Sequence, residues 1–245
     1  MGCQSSRLER EESLLASSSV LTGFEKLHVE RAVTVIRSHS TAKLILKSQF
    51  SAIERALRLN TSSGAQPVLA TFYTCLAAGG DNLTARVLAA SPRLTAEQIG
   101  GQTMLSEEDL LVTAILLGGG SPLDKAAALY HVFDEGFLNT LPASTLRDLF
   151  TLVFRIAIDD LPLLSSQRSE EDVQKYLRKA QTNSSRAVQT ALEAILEKQS
   201  SLSLEEFAKR VGKYRGEELT CPEGIRAYAK NCLEKKTQEE EDSAE

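Results

Sequence analysis

From about residue 24 onward the apolar side chains recur at intervals of three and four, and nowhere is there the sustained two-residue alternation of a half-buried strand. Val29, Ala32, Val33 and Ile36 form one such stripe, and Ala126, Leu129, Tyr130 and Phe133 form another. Leu146, Leu149, Phe150 and Val153, then Val173, Tyr176, Leu177 and Ala180, then Val188, Ala191, Leu192 and Ile195 continue the series. Each stripe lies along one side of a 3.6-residue helix, so it must be buried against a neighbour and most of it is core. Strand-like fragments are very short, as in Leu44-Ile45-Leu46. An all-α fold is expected, and 42% hydrophobic side chains in 245 residues suffice for a real core.

A weaker repeat runs across the helical pattern. Four times, an apolar residue at a strand-like position is followed five residues later by an apolar residue opening a helix: Ile45 and Phe50, Leu105 and Leu110, Leu141 and Leu146, Leu202 and Phe207. Residue eight of an EF-hand loop and the first residue after position twelve have this spacing. Leu202-Ser203-Leu204-Glu205-Glu206-Phe207 resembles the second half of such a hand. Residues 104 to 154 place Ser106-Glu107-Glu108-Asp109-Leu110, a Gly-Gly-Gly-Ser-Pro linker and Lys125 through Asp134 in an order similar to the neuronal calcium sensor and calcineurin B group. The likeness covers about residues 25 to 215 and rests on register and order. It implies two lobes of paired EF-hand-like helix-loop-helix units with very short β bridges, at 21–118 and 119–216, with Gly118-Gly119-Gly120 as the hinge. About sixty residues separate the first two hands, with Asn60 to Ala90 inserted or rebuilt. A helical bundle without that ancestry is the alternative.

Calcium needs six or more oxygens, from positions one, three and five and a bidentate Glu at twelve, with Gly at six. In the third hand Asp134 stands at position one, but Gly136, Leu138, Asn139 and Thr145 follow at three, five, six and twelve. The first hand offers Ser38, Ser40, Ala42, Lys43 and Gln49, in which the lysine repels a cation. Gln98, Gly100, Gln102, Thr103 and Asp109 leave the second with one carboxylate, and the fourth keeps Glu206 at twelve behind a shortened loop. No physiological calcium binding is expected, and no other cofactor. Cys3, Cys75, Cys221 and Cys232 form no CxxC pair and have no histidines at metal-ligand spacing, so they read as reduced cytosolic thiols.

The first six residues, Met1-Gly2-Cys3-Gln4-Ser5-Ser6, match the myristoylation pattern, with Gly2 as acceptor and Ser6 as the required hydroxyl. One myristoyl chain binds a bilayer only marginally. Arg7 and Arg10 are the only nearby bases, so the second anchor falls to a palmitate on Cys3. Residues 1–20 are expected to form a lipidated flexible leader at the cytoplasmic face of a plasma membrane or endomembrane. Nothing in the sequence reads as a secretory signal or approaches the roughly 20 apolar residues of a spanning helix; the most apolar run, Leu110 to Leu117, stops at the glycines.

A net charge of −5 and a pI near 5.4, with scattered Lys and Arg, argue against nucleic acid as a partner. His28, His39 and His131 stand near no nucleophile motif, and the glycine run lacks the Gly-Lys-Ser or Gly-Lys-Thr ending of a phosphate loop, so no enzyme activity is expected. Paired EF-hands bind an amphipathic partner helix in an apolar groove. Leu110, Phe133, Phe137, Leu146, Phe150 and Phe154 are the candidates for lining it, although core packing accounts for the same residues. The expected function is a membrane-tethered, calcium-independent adaptor; a regulatory subunit of a membrane-associated enzyme, as calcineurin B-like proteins are, and a weak calcium sensor remain open. Myristoylated proteins with a TLD domain also begin with EF-hand-like helices, so the chain could be a shortened relative of one. Residues 217–245 divide into a last helix, Ile225 to Leu233, which could fold back into the groove, and an acidic disordered tail.

Overall fold

The computed structural model describes residues 10–16, 23–59, 68–78, 104–134 and 136–232. Gly2, Cys3, the second loop's Gln98 to Thr103 and the acidic tail from Lys235 lie outside these residues. Numbered within them, the helices are α1 (Arg10–Ala16), α2 (Val29–His39), α3 (Lys47–Leu57), α4 (Val68–Ala78), α5 (Glu107–Leu117), α6 (Pro122–Phe133), α7 (Ala143–Arg155), α8 (Glu171–Leu196), α9 (Leu204–Leu219) and α10 (Pro222–Asn231). The short strands are β1 (Leu44–Leu46), β2 (Met104–Ser106), β3 (Leu141–Pro142) and β4 (Ser201–Leu202). The fold is predominantly helical, as the apolar periodicity requires.

The fourfold repeat is visible as geometry. β1 pairs antiparallel with β2, setting Ile45 opposite Leu105, and β3 pairs antiparallel with β4, setting Leu141 opposite Leu202. The residue after each of these four is the N-cap of the following helix: Leu46, Ser106, Pro142 and Ser203. Phe50, Leu110, Leu146 and Phe207, five residues beyond the paired positions, are all buried. Extended backbone at the cap sets the entry angle of each helix and turns its first apolar group inward. Helix α5 is apolar all round and correspondingly buried over Asp109 to Leu116.

Helix α9 packs on α6, α10 on α8, α8 on α7 and α2 on α5. One hydrophobic cluster runs from Phe24 to Ala229 and crosses the boundary expected at residue 118. The glycine run is therefore no open hinge. Gly119 donates its N–H to Leu27 O at 2.7 Å, and Val29 donates to Gly119 O at 3.2 Å. A Cβ on Gly118 would stand 2.6 Å from Ala114 O and 3.2 Å from Leu27 O, so the glycine is needed for close backbone approach. Arg37 Nη2 donates to His131 O at 2.6 Å, and Arg155 meets Asp109 at 2.5 Å, so polar contacts also tie the halves together. After α7 the chain passes through a π-helical turn, Ile156–Asp160, before the long α8.

The leader expected over residues 1–20 departs from the structure at α1. Arg10–Ala16 is helical, and Glu12 and Leu15 are buried. The polar composition of this stretch suggested solvation, whereas its one buried carboxylate is neutralised from the far end of the chain.

Candidate partner-binding site

Four of the six groove candidates are core. Leu110, Leu146, Phe150 and Phe154 are each at most 2% exposed. The Phe150 ring stands 6.1 Å from that of Phe207, which lies 5.6 Å from Tyr130. Phe154 meets Tyr228 of α10 edge to face at 6.1 Å. Phe150 and Phe154 line no open groove because α9 and α10 cover them. Phe133 is half-buried against the same core. Phe137 is different: it and Leu138 are 79% and 77% exposed in the loop between α6 and β3. Asp134 shapes that loop, accepting the N–H of Leu138 at 2.9 Å and of Asn139 at 3.1 Å, while Phe137 and Asn139 hold φ near 51–52°.

Three of the residues that the EF-hand register would set at position twelve have their side chains committed elsewhere. Gln49 accepts the Leu46 N–H at 2.7 Å. Asp109 is buried and paired with Arg155. Glu206 accepts both the N–H and the hydroxyl of Ser203, at 3.0 and 2.9 Å, and these bonds hold its carboxyl below the usual range. Among the described residues, no three His, Cys, Asp or Glu side chains gather as a metal site, and no helix is long and apolar enough to cross a membrane.

A cleft of about 360 Å³ lies elsewhere, beside α1 and the start of α10. Leu15, Leu116, Leu117 and Leu161 supply apolar wall, and Glu12, Lys125 and Arg226 supply charge. The Lys125 ammonium donates to Leu116 O at 3.0 Å and Thr220 O at 3.3 Å, and burial lowers its pKa. Burial also pushes the neighbouring Cys221 thiol up to about 12, which keeps it protonated and unreactive. At the cleft's edge Arg226 forks onto Glu12, with Nε to Oε1 at 2.8 Å and Nη2 to Oε2, and its Nη1 donates to Ala157 O at 2.9 Å. Tyr176 donates its hydroxyl to the same carboxylate at 2.5 Å. Planar two-point contact of this kind is the geometry in which Arg binds carboxylate best.

Sequence reasoning had no access to this cluster, since Glu12 and Arg226 stand 214 residues apart. An arginine within the apolar stripe of α10, beside Ile225 and Ala229, was the one local sign of it. No protein-family model, no curated protein and no solved structure matches the chain.

Proposed function

We propose that the chain is a calcium-independent, EF-hand-derived adaptor, held at the cytoplasmic face of a membrane by myristate on Gly2 and palmitate on Cys3, and that it binds a helical segment of a partner protein. The observation that carries the EF-hand part is the pairing of Ile45 with Leu105 and of Leu141 with Leu202, each between helices. Position eight of paired calcium loops meets its counterpart in the same way. Calcium independence follows from the loops' own bonding: Gln49, Asp109 and Glu206 serve helix caps or an arginine, in the place where an ion would need a free bidentate carboxylate. The lipid part rests on the N-terminal pattern. In this reading α10 is the chain's own cover for the apolar face around Phe154.

Two measurements test the proposal. Calorimetric titration of the full chain with calcium is expected to show no heat of binding at micromolar concentrations; uptake there returns the protein to the sensors. In cells, Gly2→Ala is expected to move the protein from membrane to soluble fractions and to release a dominant captured partner. Identical fractionation and partners for both forms refute the adaptor at a membrane.

A further inference from the structure

Helix α1 is held differently from the other described helices. Leu15 packs with Val173, Tyr176 and Leu177 of α8 in a cluster separate from the main core, and Leu14 lies against it. Beside this apolar patch stand the Arg226 guanidinium, which takes both oxygens of Glu12, and the Tyr176 hydroxyl, which takes one. Lys230 Nζ sits 5.0 Å from the centre of the Tyr176 ring, adding a second cation to the same edge. The seat thus recognises two things at a fixed spacing: a carboxylate, and an apolar side chain one helical turn later.

We infer that this face of α8, with Arg226 at its edge, is a binding site for a short partner helix carrying a carboxylate three residues before a leucine, and that α1 is its exchangeable built-in occupant. The inference rests on the adaptor reading for the existence of a protein partner. Three features make α1 exchangeable. At seven residues it is far shorter than the 12–15 or so that a helix needs to persist alone in water, so it is ordered only while seated. Its apolar contacts belong to the separate cluster, so its departure leaves the main core intact. Arg226 would keep the Ala157 carbonyl and face the adjoining cleft, where water can solvate it when Glu12 leaves. Occupancy by α1 then makes the site self-blocking, and a partner gains access by out-competing a tethered segment or by binding a chain whose α1 has been drawn away.

The experiment uses the unlipidated full chain and, as probe, a synthetic peptide of residues 7–19, with hydrogen exchange read at the protein's own α1 and at Val173 to Leu177. A tethered segment acts at an effective concentration of roughly millimolar, so the peptide is expected to deprotect α1 of the wild type only near that concentration. In Leu15→Asp the tethered competitor is weakened, and half-saturation of the seat is expected at least tenfold lower, with α6 and α9 still protected. A Glu12→Gln peptide is expected to fail at the same concentrations. The inference is overturned if Leu15→Asp binds the peptide no better than wild type does, or if the Glu12→Gln peptide works equally well. It is overturned too if Leu15→Asp and full-chain Glu12→Gln both unfold the main core, since α1 would then be structural. The exchange requires neither lipid nor cellular partner, so its failure leaves the Gly2 test untouched, and failure of that test leaves the exchange standing.

Discussion

Phe154 and Phe137 were both candidates for contacting a partner, and they separate sharply under substitution. Phe154 is fully buried at the end of α7, with Tyr228 against its ring edge. Phe154→Ala removes the transfer energy of a phenyl group and leaves a cavity, a loss of about 3–5 kcal/mol. The ring contact with Tyr228 accounts for about 1 kcal/mol of that. Against a total stability on the order of 5–15 kcal/mol the protein is left marginal, so a lost partner in such a variant would report unfolding. Phe137, at 79% exposure, is expected to cost within about 0.5 kcal/mol as Ala. Phe137→Gly should be neutral or stabilising by up to about 1 kcal/mol, because φ of 51° strains an L side chain and suits glycine. Urea titration followed by far-ultraviolet circular dichroism, with an unchanged m value, measures all three. A cost under about 1 kcal/mol for Phe154→Ala, or above it for Phe137→Ala, would show that the packing described here is not what holds the molecule together.

Three further substitutions probe the core beside the second ladder and the contact between α3 and α4. Tyr130 donates its hydroxyl to Leu202 O at 3.0 Å within the core, so Tyr130→Phe should cost about 1 kcal/mol in the same titration, while Phe207→Ala beside it costs about 3–5 kcal/mol; equal costs would contradict the assignment. Glu54 is buried, and burial raises its pKa above the usual 4.5, partly offset by the N–H of Leu69, which it accepts at 2.6 Å. Between those two values the folded chain holds a proton that the unfolded chain has lost, so its contribution falls as pH rises through the raised value and is flat above it. Glu54→Gln keeps an acceptor for Leu69 and should flatten that part of the stability profile, read as the urea midpoint from pH 4.5 to 8; an unchanged slope would place the titration elsewhere.

The parts of the fold that were legible in the sequence are those set by local register. The stripe Leu146, Leu149, Phe150, Val153 needs only the helical period to be assigned to the core, and all four are buried. The positions of Ile45, Leu105, Leu141 and Leu202 were legible because strand, cap and first helical turn follow within six residues. What covers a buried face is a long-range matter. Periodicity marked Phe150 and Phe154 as apolar-facing without showing that Phe207 and Tyr228 lie over them. Three glycines suggested a hinge, while their backbone bonds to Leu27 and Val29 act against one. Glu12 looked like one more solvated acid in a polar stretch, and only the tertiary fold brings Arg226 to it.

The same bonding bears on how such a molecule is controlled. A calcium loop is bistable because its carboxylates repel one another until an ion joins them. Three loops among the described residues close on themselves. Thr41 and Leu44 exchange both backbone bonds across a tight turn in which Ala42 and Lys43 have positive φ. Asp134 spends its two oxygens on Leu138 and Asn139, and Glu197 and Lys198 turn through positive φ while Gln199 donates to Leu196 O. On the reading proposed above, loops bonded in this way leave an ion little to release. The buried charge whose neutralisation depends on a short, separately packed segment is Arg226, and the segment is α1. A conformational equilibrium in this chain is therefore to be sought where α1 and α10 meet.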